Sequence, residues 1–249
     1  MWAVNMLDKI KRYYRFSPQE LRELAITIVA ISFIVSFNQW GDDVFSLVVG
    51  LRNLLLAILV TTLIMMVRIT TQAIFALANG YDIKFRGWFM GLGIGILLAF
   101  VTKGHLWFLA PGGFLLVHIP GHRLGKFRYG VNTGDIAIVS FAGVFGALVL
   151  SLILKFMYVL MPQNEFILQA LKMTLWITFW AMTPIPPLDG AGMFFAWRTS
   201  YFFFLGTFFG WAALLLYASI GVTFLGAIFL GAVFALVYYA SFERAAWSK

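Results

Sequence analysis

The sequence contains no cysteine among its 249 residues. This absence excludes disulfide bonds, thiolate nucleophiles and cysteine-ligated metal sites, and it leaves the redox compartment undetermined. Histidine is scarce, with three residues, and only 11% of the residues are charged. A soluble domain has roughly 25% charged residues, so this chain has too few of them to cover a water-facing surface.

Hydrophobic residues make up 62% of the chain and include 27 phenylalanines. This composition predicts an all-α membrane protein whose apolar runs cross the bilayer as helices. A formal net charge of +8 would suggest nucleic acid as a partner of a soluble protein. Here the basic residues lie in loops and flanks, where they orient helices and meet anionic head groups. We therefore expect membrane lipid, and no nucleic acid, as a partner.

The apolar runs predict about six transmembrane helices and one re-entrant hairpin. Residues 1–20 are basic and aromatic, lack the apolar region of a signal peptide, and are predicted to lie at the membrane interface. Residues 21–249 are predicted to form a single multi-pass domain. Its spans are expected at about residues 24–37, 54–78, 135–160, 166–182, 201–220 and 222–242, and the shorter arms 88–102 and 107–119 would form the hairpin.

Local signals predict several helix ends. Residues 17–20 (SPQE) form a capping box with proline at the first helical position. Residues 50–53 (GLRN) are expected to divide the long apolar block that precedes Asn79-Gly80. That dipeptide is expected to end the second part of the block in a left-handed cap.

The distribution of charge predicts that both termini are cytoplasmic. Basic residues are expected inside at Lys9, Lys11, Arg12, Arg15, Lys84, Arg86, Arg123, Lys126, Arg128, Arg198, Arg244 and Lys249, and the acidic Asp42 and Asp43 outside. If the two short arms instead crossed the membrane as one span, the later loops would invert.

Residues 183–190 (TPIPPLDG) are the sharpest local signal. Three prolines within four residues cannot continue a helix. The spacing predicts a stiff extended strip that presents Asp189, followed by a flexible Gly190. Taken alone, it also fits a rigid cytoplasmic loop with a solvated aspartate.

This strip resembles the signature of the site-2 protease family of intramembrane zinc metalloproteases. Residues 54–201 are similar to a compact prokaryotic or archaeal branch of that family, with supporting segments at 80–86, 110–113, 140–147 (which resembles the start of a helix) and 193–197 followed by Tyr201. The resemblance implies a site-2-protease-like core in which Asp189 corresponds to a zinc ligand. It also implies a groove for a transmembrane segment or membrane-protein partner, lined by Pro184, Pro186, Pro187, Leu188 and Gly190.

The catalytic positions depart from that family, which carries His-Glu-x-x-His before the Gly80-Tyr81 turn. Arg68 stands at the first histidine, Ile69 at the glutamate and Gln72 at the second histidine. Arginine has no lone pair for a metal, isoleucine cannot move a proton, and an amide binds zinc poorly beside imidazole. We therefore expect a degenerate site with no metal, no cofactor and no catalysis.

Arg68 is predicted to lie about 16 Å along its helix from the inner end, at 1.5 Å per residue. A charge at that depth costs at least ~2.5 kcal/mol and should have a partner. Since the resemblance places positions 68 and 189 around one metal, we expect Arg68 to pair with Asp189, with Gln72 and Thr71 completing the network. The alternative is that Arg68 faces a water-filled cleft or snorkels alone.

Three functions follow from these observations. The leading one is a non-catalytic pseudoprotease that binds a transmembrane segment or membrane-protein partner as a scaffold or regulatory subunit. The second is an active intramembrane metalloprotease with a rebuilt site, for which His105, His118 and His122 with Asp189 are the candidate ligands. The third is an anion-selective channel or transporter that uses Arg68. Lys155 and Lys172 also lie in apolar runs, where their long stems allow snorkelling.

Overall fold

The computed structural model describes residues 2–41, 45–119 and 130–244. Predictions for Asp42, Asp43, His122, Arg123, Lys126, Arg128 and Lys249 lie outside these residues. The helices are α1 Trp2–Tyr13, α2 Pro18–Ser36, α3 Leu47–Ala78, α4 Phe89–Val101, α5 Thr133–Leu160, α6 Glu165–Ala181, α7 Asp189–Ala196, α8 Arg198–Tyr217 and α9 Ile220–Tyr238, which continues as a π-helical turn Tyr239–Glu243. The strands are β1 Tyr81–Arg86 and β2 Gly113–His118.

Four helices in the described part of the chain are long and apolar enough to cross a membrane. They are α3, α5, α8 and α9 with its π-helical turn. A helical membrane protein is therefore confirmed. Beside the helices, β1 and β2 form one small two-stranded antiparallel sheet.

The long apolar block forms one continuous helix. The prediction that residues 50–53 divide it was wrong, since α3 runs unbroken for 32 residues. Gly50 instead allows the Trp40 ring to pack against the helix, where any Cβ would overlap it. Asn53 donates to the carbonyl of Gln39 at 2.8 Å. The predicted end of the helix is confirmed, because Gly80 has a left-handed φ of 85°.

The two short arms differ in structure. The first contains α4, a 13-residue helix too short to span. The second is extended rather than helical, because its C-terminal half is β2. This strand pairs with β1 in a register that runs from Tyr81 opposite His118 to Arg86 opposite Gly113. Its burial alternates along the strand, as in a sheet with one face covered.

The start of α2 covers the outer edge of β1. The capping box forms as predicted, and the Glu20 carboxylate also accepts a hydrogen bond from the amide of Phe85 at 3.1 Å. Glu23 accepts from the amide of Gly87 at 3.0 Å and from Arg86 at 3.1 Å. Burial by itself would raise the pKa of Glu23, but these donors lower it below its ordinary value. Two acidic side chains thus fasten the sheet to α2.

The hydrophobic core lies between α2, α3, α5, α6 and α8. Helix α5 packs against α3, α6 and α7, so it holds the middle of the chain together. Helix α1 docks on the end of α3, where Lys9 donates to the carbonyl of Leu77 at 3.1 Å. In α8, Gly206 and Gly210 allow α9 to approach closely, since a Cβ at either would crowd that helix.

Candidate functional site

Two helices bring the polar residues of the core together. Arg68 and Gln72 lie one turn apart on the same face of α3, since residues i and i+4 of a helix are neighbours. Asp189 is the first residue of α7. It follows a connection that turns the chain sharply after α6, which places the carboxylate opposite the two α3 side chains.

The predicted pair forms. Arg68 Nη2 donates to Asp189 Oδ2 at 2.6 Å, and the two side chains are 4% and 0% exposed. Gln72 Nε2 donates to the same oxygen at 3.0 Å. The interpretation that Arg68 snorkels alone or faces a cleft is therefore wrong. One carboxylate oxygen receives two donors from successive turns of α3, which ties α3 to α7.

The pair is not a two-bond fork. Arg68 Nε and Asp189 Oδ1 are buried and have no partner among the described residues. Arg68 Nη1 approaches only the Met65 sulfur, at 4.0 Å, and a thioether is a weak acceptor. A buried polar atom without a partner costs free energy. Loss of either Arg68 or Asp189 would therefore leave the other side chain buried without a charged partner.

Two neighbouring residues lie outside the network. The expectation for Thr71 was wrong, because its hydroxyl donates to the α3 carbonyls of Val67 and Arg68 at 2.9 and 2.8 Å. Thr71 is rotated about 100° around the helix from Gln72 and faces Gly146 of α5. Ile69 is buried in a separate hydrophobic cluster with residues of α2 and β1.

A glycine of α5 makes room for the cluster. A Cβ at Gly143 would lie 2.5 Å from Gln72 Nε2 and 3.0 Å from Asp189 Oδ2. The role of Gly143 was not predicted, although the small residues of 140–147 are a visible signal in the sequence. That segment lies inside α5, which begins at Thr133, and not at a helix start as the resemblance implied.

The proline segment is a turn rather than an extended strip. The amide of Leu188 donates to the carbonyl of Ile185 at 2.8 Å, so the chain reverses over four residues. Pro184, Pro186 and Pro187 are exposed, as a groove lining requires. Leu188 and Gly190 are buried, and their part in lining the groove stays a prediction. The solvated-aspartate interpretation was wrong, since Asp189 is buried.

Gly190 provides space and not flexibility. A Cβ at this position would overlap the carbonyl of Met182 at the end of α6. The same carbonyl accepts a hydrogen bond from the Tyr201 hydroxyl at 2.9 Å. Close contact between α7 and the end of α6 is therefore what aims Asp189 at α3.

Replacing Gly190 with alanine should destabilise the protein by about 1–3 kcal/mol, because the added methyl group overpacks the α6–α7 junction. Gly93→Ala is the matched control, since a Cβ at Gly93 meets nothing within 4 Å. Alanine in that helix should be neutral or stabilising by up to about 1 kcal/mol. Unfolding of the two variants in detergent measures the contrast, and equal effects would contradict the packing role of Gly190.

The structure does not assemble the rebuilt metal site within its described residues. No group of three His, Asp or Glu side chains there is close enough to hold a metal ion. His105 lies after α4 with its ring nitrogen 2.8 Å from the carbonyl of Thr102, and His118 ends β2. His122, the third histidine of that hypothesis, lies outside the described part.

Comparisons of the chain with protein-family models, with curated proteins and with solved structures give no match. The resemblance to site-2 proteases therefore rests on the motif residues of the chain itself.

Proposed function

We propose that this protein is a non-catalytic, site-2-protease-like membrane protein that holds a transmembrane segment or membrane-protein partner, as a scaffold or regulatory subunit. One observation carries the proposal. Arg68 and Gln72, one turn apart on α3, both donate to one carboxylate oxygen of Asp189, the first residue of α7. A catalytic zinc site likewise brings three side chains around one point. In this proposal the cationic side chain of Arg68 takes the place of the metal.

The chemistry of the cluster supports a structural role. The guanidinium of Arg68 has no lone pair for a metal and only donates hydrogen bonds, so it cannot ligate one. Ile69, at the position of the general base, has no group that could accept or release a proton. The cation and the carboxylate instead stabilise each other within the core, and both would be left uncompensated if they separated.

The proline turn and the free strand edge offer a place for a partner. The outer edge of β1 is covered by Glu20 and Glu23, whereas β2 makes its ladder only with β1 among the described residues. Gly113, at the start of β2, abuts the carbonyl of Pro187. Strand addition gives an extended segment main-chain hydrogen bonds, and apolar neighbours provide selectivity.

The membrane arrangement proposed with this function has six spans and cytoplasmic termini. In addition to the four long helices, α2 and α6, with 19 and 17 residues, would also cross the membrane. The charged first turn of α2 and the amphipathic α1 would then lie at the cytoplasmic interface. The basic residues of the described loops support this orientation.

Site-specific photo-cross-linking in native membranes tests the proposal. A photoreactive residue at Ile185 or Leu115, which are 45% and 51% exposed, should give an adduct of one discrete mass with a membrane protein. Leu225 on α9, which is 74% exposed, is the control and should label lipid only. Lipid-only labelling at all three positions would contradict a partner on this surface.

The two other functions have less support from the contacts. A channel that attracts anions needs the charge of Arg68, but that charge is ion-paired and its side chain is 4% exposed. Stoichiometric zinc in the purified native protein would instead favour a rebuilt protease. Anion flux in proteoliposomes that Arg68→Met abolishes would favour a channel.

A further inference from the structure

An apolar groove on the surface of the protein lies between α6 and α8, where Trp176 and Phe209 are 44% and 40% exposed. It has a volume of about 330 Å³ and is walled by Trp176 and Phe179 of α6 and by Phe208 and Phe209 of α8. Its lining is apolar except for one charged residue, Lys172. Ligand sites of small molecules start at about 300 Å³ and typically combine an apolar wall with a few polar groups.

Lys172 is exposed and lies in the middle of the apolar α6. Its ammonium makes no ion pair or hydrogen bond within the described part of the chain. An ionisable side chain within an apolar helix is expensive, so it points to a functional partner. An anion supplied from outside the chain is the partner that this exposed charge would attract.

The charged end of the groove faces one membrane surface. Helix α5 ends at Leu160 and α6 begins at Glu165, so these two ends share a surface. Lys155, near the end of α5, donates to the carbonyl of Leu216 at 3.3 Å, and Leu216 lines the groove in the last turn of α8. Helical side chains lean toward the N-terminus, which directs the stem of Lys172 toward that same surface.

From this arrangement we propose that the groove binds an anionic phospholipid. The head group pairs with Lys172 near the membrane surface, with Lys155 close behind it, and one acyl chain lies along the aromatic walls toward the membrane interior. A transmembrane helix is about 10–12 Å across, too wide to enter a groove of this volume. Basic pockets between transmembrane helices on the cytoplasmic side are known sites for lipid head groups, and in the six-span orientation this groove offers the same chemistry on the opposite side. This inference is independent of the partner surface proposed above.

Quenching of Trp176 by brominated acyl chains tests the proposal on the full chain in vesicles. The vesicles contain phosphatidylglycerol and phosphatidylcholine, with the bromine on one lipid or the other. The Trp176 component is obtained by subtracting the signal of Trp176→Phe. Because one lysine favours an anionic lipid, phosphatidylglycerol should occupy the site next to Trp176 about fivefold more than phosphatidylcholine.

Three variants separate the effect of the Lys172 charge from the effect of the space in the groove. Lys172→Met should abolish the preference, whereas Lys103→Met, which removes an exposed charge far along the chain after α4, should retain it. Ala212→Phe should fill the groove and reduce quenching by both lipids, with size-exclusion chromatography confirming that each variant is folded. The proposal is overturned if both lipids quench native Trp176 equally or if Lys172→Met keeps the preference. Absence of quenching by either lipid would also overturn it, since a protein segment would then cover the groove.

Discussion

Arg68→Met is expected to lower the free energy of unfolding by about 3–5 kcal/mol, because it leaves the carboxylate of Asp189 buried without its cation. Asp189→Leu should have a similar effect, since it strands the guanidinium in the same place. The double variant removes both charges and should recover most of the loss, because a buried pair is often replaceable by apolar side chains. Gln72 would then be left with an unpaired amide, so we do not expect full recovery.

A double-mutant cycle in mild detergent, followed by denaturant titration, measures this coupling. The Arg12–Asp8 pair is the matched control: its nitrogen–oxygen distance is 3.2 Å, but its side chains are 70% and 60% exposed. Exposed pairs contribute little, so that cycle should show a coupling close to zero. Additive losses at Arg68 and Asp189 would contradict the view that the pair stabilises the contact between α3 and α7.

Restoring the family motif with Arg68→His, Ile69→Glu and Gln72→His should create a zinc site with about one metal ion per chain. The side-chain nitrogens of residues 68 and 72 already converge on Asp189 Oδ2, at 2.6 and 3.0 Å. Imidazole rings are shorter than an arginine, which leaves room for an ion about 2.0–2.2 Å from each ligand atom. The metal content is expected to rise from none in the native protein to one equivalent in the triple variant. This is the largest effect expected if residues 68, 69 and 72 stand at lost catalytic positions.

Metal analysis of the purified variant, with Co²⁺ absorption as a report of tetrahedral geometry, measures the outcome. Adding Asp189→Asn to the triple variant removes a charged ligand and should lower the metal content sharply. The double variant Arg68→His, Gln72→His, which keeps Ile69, should still bind metal, because the glutamate of the motif is not a ligand. A folded triple variant that stays metal-free would contradict the alignment of residues 68–72 with the protease motif.

Much of the candidate site followed from local features of the chain. A charge in an apolar run needs a partner. The choice of Asp189 as that partner came from the resemblance of residues 183–190 to the protease signature, and the contact is present at 2.6 Å. The capping box at residues 17–20 was predictable because it depends on four consecutive residues.

Other features depended on contacts between distant segments. Gly50 looked like a helix break, but Trp40 packs on it and the helix continues. β2 looked like an apolar arm because its partner strand is about thirty residues away and strand pairing cannot be read from one strand. The position of Thr71 depended on helical rotation relative to α5, which decides whether a side chain meets Asp189 or a glycine.

By itself, the sequence determined that this is a helical membrane protein with an arginine inside one of its apolar helices. Composition, apolar run length and residue chemistry suffice for that, because hydrocarbon tolerates few alternatives. Only the tertiary structure decided which atoms of Arg68, Gln72 and Asp189 meet, that the proline segment turns, and that Gly143 and Gly190 provide the space. Those outcomes depend on how α3, α5 and α7 pack, and packing joins residues that the chain order keeps more than a hundred positions apart.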